Sequence, residues 1–279
     1  MKKHLTTLLV ILLFLVGLSV LLYPTVSDYV NQKNASRVIA DYNATLADVS
    51  QEDLRKWFDE ATAYNRSLYE NPSAFYLPDL IEGYDETLDI TGTGIMGYID
   101  IDKIKVHLPI YHGVDDVILQ IAVGHIEGTS LPVGGSNTHA VLSGHTGLPS
   151  SRLFTDIDKL DEGDIFTITV LNRVITYQVD QIKTVLPSES DDLQIVPGKD
   201  YCTLLTCFPY GINSHRLLVR GVRIDNIASG DEDEHIVFVS NEAMRIDPLV
   251  IIPIVMVPML LIAFIILLIL SIFRRLFKR

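Results

Sequence analysis

The chain has 279 residues and a formal net charge of −13 at neutral pH. This length fits one compact domain with additional segments. The two ends carry basic residues and no acidic ones, so the middle of the chain carries the acidic excess. A domain with this charge is not expected to bind nucleic acid, because phosphate backbones attract basic surfaces and repel acidic ones.

Two apolar runs lie near the ends of the chain. Residues 5–22 follow two lysines and precede Pro24, and residues 249–272 precede a basic tail. A helix rises ~1.5 Å per residue and a bilayer core is ~30 Å thick, so either run is long enough to cross a membrane. Positive flanks remain in the cytoplasm, which predicts a two-pass protein of the cell membrane with both termini inside and the middle domain outside. A cleaved signal peptide is the alternative for the first run.

The predicted organisation follows from these two runs and from the composition between them. In chain order the predicted segments are an N-terminal transmembrane helix (1–24), an extracytoplasmic helical segment (25–70), a lid-like loop (71–94), a β-rich domain (95–227), an acidic linker (228–247), a C-terminal transmembrane helix (248–273) and a basic cytoplasmic tail (274–279).

The helical segment shows apolar residues at helical spacing. Ser50 followed by Asp53 is typical of a helix N-cap, so a second helix is predicted to begin at Ser50. We expect these helices to pack on the outside of the domain as a stalk. The next segment is rich in proline and glycine, yet it contains Phe75 and Tyr76, which are unusual in a solvated loop. Long loops of this kind are lids or pack locally.

The β-rich domain shows short runs of strand-forming residues separated by glycine, proline or acidic residues. The predicted strands are 96–101, 104–110, 138–143, 164–170, 174–186, 201–207 and 216–224. Two short helices are predicted between them, at 117–123 and 151–160. Many short strands at this spacing predict a mainly β fold, either a closed barrel or a sandwich.

Cys207 and Arg216 are the first candidates for a functional site. Cys207 ends one predicted strand and Arg216 begins the next, with an eight-residue loop between them. Reversal of the chain in this loop places the two side chains next to each other at one end of a sheet. Cys202 lies five residues before Cys207 on the same strand, so the two thiols point to opposite faces and no disulfide is expected. We expect Cys202 to be a small buried residue.

His145 follows another predicted strand across Gly144. A cysteine attacks as its thiolate, which a nearby histidine or arginine stabilises. Histidine can carry a proton, whereas arginine stays protonated and suits the stabilisation of an oxyanion. If His145 meets Cys207 and Arg216, the three form a thiol acyl-transfer site. The alternative is a buried structural cysteine, a loop histidine and an arginine in a surface ion pair, and the residues alone leave both open.

The remaining polar residues are weaker candidates. Arg220 shares a face with Arg216 but lies ~13 Å further along the strand. His215 is adjacent to Arg216 and therefore points away from the face that Arg216 uses. No histidine or cysteine pair has the spacing typical of a zinc site, so neither a metal nor a cofactor is expected. No Gly-x-Ser-x-Gly motif supports a serine nucleophile. The other histidines considered are His107, His112, His125 and His139.

Several motifs resemble those of sortases, and most closely the pilus-assembling class C sortases of Gram-positive bacteria. Residues 203–207 read Thr-Leu-Leu-Thr-Cys, similar to the family signature Thr-Leu-x-Thr-Cys. Residues 213–217, Asn-Ser-His-Arg-Leu, continue to the family arginine, and residues 143–147, Ser-Gly-His-Thr-Gly, are similar to the catalytic histidine loop. Further similar segments are 97–101, 108–113 and 124–132. The resemblance covers residues 95–225, and a second C-terminal span is also typical of class C.

The resemblance implies a closed β-barrel and transpeptidation of LPxTG-like sorting signals. Cys207 is expected to attack the Thr–Gly carbonyl and form a thioester. His145 is expected to protonate the departing amine, and Arg216 to hold the substrate or its oxyanion. A lysine amine of another pilin then releases the thioester as an isopeptide bond, so pilin or surface-protein precursors are the expected partners. Thr206 and Ser143 are expected to bind substrate or to support the site.

One feature departs from the class C pattern. These enzymes carry an Asp-Pro-Trp or Asp-Pro-Phe lid before the barrel, and residues 71–94 contain neither tripeptide. We predict a loop that covers the cleft weakly, with Phe75, Tyr76 or Asp79 as lid residues. Two alternative functions stay open. One is a sortase that anchors proteins to peptidoglycan or acts mainly as a hydrolase, and the other is a membrane-tethered binding barrel without catalysis.

Overall fold

The structure is a computed structural model that describes residues 2–226 and four positions near the C terminus, 258, 261, 264 and 265. The predicted acidic linker lies outside the described residues, as do the basic tail and most of the C-terminal apolar run. The chain divides into two compact units, Met1–Tyr29 with Val239–Arg279, and Val30–Phe238. Within the part of the chain that the structure describes, no helix combines the length and apolar character that a membrane crossing requires.

Three α-helices are described: α1 (Lys2–Ala47), α2 (Gln51–Glu70) and α3 (Asp116–Leu119). Helix α1 passes through Pro24, where the sequence pattern predicted the end of the first apolar helix. A proline inside a helix removes one backbone hydrogen bond and can kink the helix without ending it. Helix α2 begins as predicted after Ser50, whose Oγ accepts a hydrogen bond from Asp53 N at 3.1 Å.

Eight strands form a closed barrel in the order β1-β2-β3-β4-β7-β8-β6-β5. The strands are β1 (Ile95–Ile101), β2 (Val106–His112), β3 (Val123–His125), β4 (Thr138–Ser143), β5 (Ile165–Val170), β6 (Arg173–Val185), β7 (Asp200–Phe208) and β8 (His215–Arg223). The pairs β2–β3 and β4–β7 are parallel, and the other neighbouring pairs are antiparallel. The predicted mainly β fold is confirmed, and it is the barrel rather than the sandwich.

The two short helices predicted inside the β-rich domain were largely wrong. Residues 117–123 are divided between α3 and the three-residue strand β3, which exists because β2 and β4 pair with its two edges. Residues 151–160 form turns, and only Ile157–Lys159 is a 3-10 helix. Phe154, Ile157 and Leu160 are buried in the core from this irregular segment. Their three-residue spacing resembles a helical face, but it reflects contacts with the barrel.

The helical segment belongs to the core of the domain and is more than a stalk. Tyr42 OH donates to Met96 O at 3.0 Å and accepts from Leu171 N at 2.8 Å. The buried Asn65 amide pairs with the backbone of Leu131, at 2.7 Å and 3.0 Å. These buried polar contacts fix the helices to the barrel in one orientation, because an unpaired partner in such a contact is costly.

Alternation along β4, β7 and β8 separates two faces of the barrel wall. The inward side chains of these strands lie in the main core; they are Ala140, Leu142, Cys202, Leu204, Leu217 and Val219. The outward side chains Val141 and Leu218 form a second cluster with Leu193, against which Leu205 and Phe75 pack; we call this set the outer apolar cluster. Cys207 and Arg216 are two residues from Leu205 and Leu218, so they share the outward face.

Candidate active site

Cys207 and Arg216 are direct cross-strand partners at one end of the barrel. The pairing of β7 with β8 places Cys207 opposite Arg216 and Phe208 opposite His215. Side chains of directly paired residues lie on the same face of a sheet. Cys207 is a free thiol and is half-buried. This is the arrangement expected from the reversing loop between the two strands.

His145 reaches the same place through the parallel pairing of β4 with β7. Ser143 is the register partner of Leu205, and Gly144 N donates to Leu205 O at 3.1 Å. His145 follows two residues after this last register pair, at the same end of the sheet as Cys207. Ser143 ends β4 on the same outward face as Leu205. The three predicted residues therefore lie at, or just beyond, the same end of three adjacent strands.

The backbone that carries His145 is held from two sides. Thr206 is buried, and its Oγ1 donates to Gly144 O at 2.6 Å. On the other side, Phe154 N donates to His145 O at 3.1 Å. A Cβ at Gly144 would lie 2.7 Å from the Phe154 ring, so only glycine allows this ring to pack against the strand end. Thr206 therefore supports the position of His145 from the inward face.

The side chains at this end have few competing partners. Arg216 Nη1 donates to His215 O at 3.0 Å and to Asn213 O at 3.4 Å, both of them backbone carbonyls. Among the described residues, no carboxylate forms an ion pair with Arg216 and no side chain hydrogen-bonds the His145 ring. A guanidinium without a carboxylate partner keeps its donors available for a substrate oxygen.

The competing residues named from the sequence have structural partners. Arg220 donates to both carboxylate oxygens of Asp180, at 2.9 Å and 2.8 Å. The His139 ring nitrogens lie 2.9 Å from Gln194 O and 2.7 Å from Thr203 Oγ1. Burial lowers the pKa of His139 to about 4, so it is neutral at physiological pH. Across residues 2–226 there is no group of three or more side chains suited to hold a metal ion.

A cavity of about 180 Å³ adjoins the thiol at the end of the barrel. Its walls combine residues of β7 and β8 with the segment that follows His145 and with the β7–β8 loop. The lining residues are Thr146, Phe154, Thr155, Asp156, Asp158, Lys159, Thr206, Cys207, Phe208, Tyr210 and Leu217. The nucleophile candidate therefore lines a cavity that is partly open to solvent.

The three lid candidates occupy different environments. Phe75 packs on the outer apolar cluster, on the strand face that leads to Cys207. Tyr76 is 60% exposed, and its OH accepts a hydrogen bond from Gln194 Nε2 at 2.8 Å. Asp79 is exposed and forms no ion pair with another described residue. The loop therefore covers this face with an aromatic ring, and the acidic residue takes no part in the contact.

Comparisons with known proteins identify the family. A family model described as a sortase domain matches residues 99–224. The crystal structure of sortase C1 from Streptococcus agalactiae shares 48% sequence identity, with a TM-score of 0.63 and coverage of 68% of this chain and 99% of that one. The chain belongs to the sortase family. Sortase C of Clostridium perfringens, solved with the C-terminal cell wall sorting motif, shares 46% identity, with a TM-score of 0.60 and coverage of 69% and 100%.

A curated relative, sortase A of Streptococcus agalactiae, is 26% identical over 203 residues, which is 72% of this chain and 77% of that protein. This chain is thus an enzyme of the transpeptidase type. Its structural matches to sortase C proteins confirm the class C resemblance found in its motifs.

Sequence reasoning missed two parts of the site. The outer apolar cluster was not recognised, although Val141-Leu142 and Leu204-Leu205 are consecutive apolar pairs within strands. Such pairs indicate strands covered on both faces. The cavity wall around Asp158 was also missed, since no local pattern brings residues 146–159 to the end of β7.

Proposed function

We propose that this sortase is a class C enzyme that joins pilin subunits. It cleaves an LPxTG-like sorting signal between Thr and Gly through a thioester on Cys207, and then transfers the acyl group to a lysine amine of another pilin. The observation that supports the proposal is that a free thiol and a guanidinium without a described carboxylate partner are cross-strand neighbours, at the end of the sheet where the strand before His145 also ends.

Each step follows from the chemistry of these groups. The Cys207 thiolate attacks the threonine carbonyl, and the C–S bond forms while Arg216 stabilises the oxyanion. The C–N bond then breaks as His145 donates a proton to the departing glycine amine. In the second half, a lysine amine forms a new C–N bond, one of its protons passes to His145, and the C–S bond breaks to release the thiolate. Thr206 keeps Gly144 and His145 at the right distance from the thiol.

We propose that the donor peptide binds on the outward face of β4, β7 and β8. The outer apolar cluster offers a surface for the leucine and proline of the sorting signal, and it leads along Leu205 and Leu218 to Cys207 and Arg216. Phe75 covers this surface, so it has to move before a peptide can bind. This supports a weak lid made by an aromatic side chain.

We also propose that the two apolar runs anchor the enzyme in the cell membrane with the barrel outside the cell. The support is in the sequence: both runs are long, and both carry basic residues on their outer flanks. The anchor would keep the enzyme beside membrane-bound precursors. The acidic middle domain would be repelled by anionic lipid headgroups, so the runs alone would hold it there.

The test uses the full-length protein in detergent with a purified pilin pair, one bearing the sorting signal and one bearing candidate lysines. A ladder of covalent oligomers is expected on a denaturing gel, with a mass that shows loss of the residues after threonine. The ladder is absent for Cys207→Ala. Signal cleavage with transfer only to peptidoglycan amines or to water would indicate the anchoring or hydrolytic alternative. An intact signal together with an unchanged cell phenotype for Cys207→Ala would indicate a binding barrel.

A further inference from the structure

We propose that the cavity beside Cys207 binds the acceptor lysine side chain, and that Asp158 recognises its ammonium group. This inference rests on the proposed function and adds a subsite to it. A transpeptidase must admit a second substrate while the first is still attached to its thiol. The structure offers a separate route for that substrate.

The cavity and the donor face lie on different sides of Cys207. The donor face is formed by outward side chains such as Leu205 and Leu218. The cavity is instead lined by Thr206 and Leu217, whose positions alternate with those residues, and by the segment 146–159. An acyl group on the outward face would therefore leave the cavity free. The entering amine also has to take the position that the departing amine vacates, which lies on the side of the thiol away from the acyl chain.

The lining of the cavity matches a long apolar chain that ends in a cation. Phe154, Phe208 and Leu217 provide apolar walls for methylene groups. Asp156, Asp158 and Lys159 add two carboxylates and one ammonium group to the same cavity, and Lys159 is paired with Asp156. The volume of about 180 Å³ has room for several water molecules, which the methylene groups of an amine chain could displace. Lysine side chains bury their methylene stems along apolar surface and direct the ammonium to polar groups.

The two carboxylates differ in whether they already have a basic partner. Asp156 is engaged by Lys159, at 2.7 Å between Nζ and Oδ1, and by Arg152. Burial alone would raise the pKa of Asp156, but Lys159 and Arg152 hold it below its usual range. Asp158 is exposed and has no hydrogen bond or ion pair with another described residue. It is the carboxylate of the cavity that is open to a cation from outside.

The reaction explains why the carboxylate and the thiol share one cavity. In a lysine acceptor the recognised charge and the reacting nitrogen are the same atom. The ammonium first loses one proton to solvent and becomes the attacking amine. Its nitrogen then bonds to the thioester carbonyl, a second proton passes to His145, and the C–S bond breaks to release the Cys207 thiolate. A carboxylate favours the protonated amine, so Asp158 captures and orients the acceptor and does not act as its base.

The test compares two nucleophiles with the full-length enzyme in detergent and an LPxTG peptide as the donor. One nucleophile is a peptide with a single lysine and an acetylated α-amine, and the other is hydroxylamine, which is neutral near pH 7. For Asp158→Asn we expect kcat/KM for the lysine peptide to fall roughly two- to fivefold, through KM, as expected for the loss of one exposed ion pair. Hydroxylamine transfer and donor cleavage are expected to stay unchanged.

Glu162→Gln is the matched control, because Glu162 is exposed in the same region but does not line the cavity. Asp158→Lys is expected to weaken lysine transfer further, by repulsion. The proposal is overturned if Asp158→Asn behaves like Glu162→Gln, or if lysine and hydroxylamine transfer fall equally. If the wild-type enzyme does not cleave the donor at all, the proposed function fails, and this proposal fails with it. The cleavage assay thus separates the two failures.

Discussion

The strands β4, β7 and β8 carry the same three residue types at both of their ends. At the end that holds the candidate site, Cys207, His145 and Arg216 lie at or just beyond the strand termini, beside a cavity and a loop. Cys207 is half-buried, and Arg216 donates only to backbone carbonyls. We call this the open end of the three strands.

The other end, which we call the closed end, contains Cys202, His139 and Arg220. Burial raises the pKa of the Cys202 thiol well above its ordinary value. His139 is buried with both ring nitrogens in contact with acceptor or hydroxyl oxygens, and Arg220 is paired with Asp180. The comparison shows that residue type alone does not make a residue catalytic. Its exposure to solvent, and whether its polar groups already have hydrogen-bond partners, decide whether it can act on a substrate.

The largest contrast is expected between the two cysteines. Cys207→Ala should lower transpeptidation at least roughly a thousandfold, because it removes the nucleophile. Cys202→Ala should retain activity and lower the free energy of unfolding by on the order of 1 kcal/mol, since a small buried side chain is lost. Peptide turnover and urea unfolding measure the two effects. Equal activity losses for both variants would remove the distinction between the two ends.

The two arginines provide the next contrast. Arg216→Ala should reduce kcat/KM roughly a hundredfold, the usual effect of removing one oxyanion donor. Arg220→Ala should leave kcat/KM within a few-fold of wild type and lower stability instead, because Asp180 loses its bidentate partner. Thermal unfolding of both variants, measured beside turnover, checks the assignment. An Arg220→Ala enzyme that is stable but inactive would contradict it.

Acidic pH is expected to destabilise the folded domain through its buried histidines. Burial lowers the pKa of His125 and of His139 to about 4, from 6.5. The unfolded chain then binds protons before the folded one does, so the stabilisation is complete above about pH 6.5 and is lost as the pH falls toward 4. A lowering of the pKa by this amount corresponds to a change on the order of 3 kcal/mol in the free energy of unfolding for each histidine.

The measurement is the free energy of unfolding as a function of pH over this range. His139→Gln removes one titrating group, so its stability should depend less steeply on pH than that of the wild type. An unchanged slope would mean that His139 does not titrate with folding.

The smallest effect is expected at the lid. Phe75→Ala should raise the rate at which a thiol reagent alkylates Cys207 by a few-fold, because the outer apolar cluster loses its cover. Tyr76→Ala is the matched control, since Tyr76 is mostly exposed. Equal rates for the two variants and the wild type would mean that the loop does not limit access to the open end.

Much of the fold could be predicted from local patterns, because strand periodicity and turn residues are local. The predicted strand 138–143 coincides with β4, and the turn between β7 and β8 places Cys207 opposite Arg216 as expected. The predicted start of β2 at residue 104 was too early, because Asp102–Ile104 form a 3-10 turn that ends at Lys105 with φ 56°. Strand β3 was missed, since three residues carry too little pattern to identify a strand.

The sequence by itself determined the strands, the hairpin that joins the thiol to the guanidinium, and the family motifs around them. Only the tertiary structure decided that β4 lies parallel to β7 and so brings His145 to Cys207, that Phe75 covers the outward face, and that Asp158 shares a cavity with the thiol. The reason is physical. Periodicity and turn chemistry act over a few residues, whereas parallel pairing and cavity walls join segments that are far apart along the chain and meet only when the barrel closes.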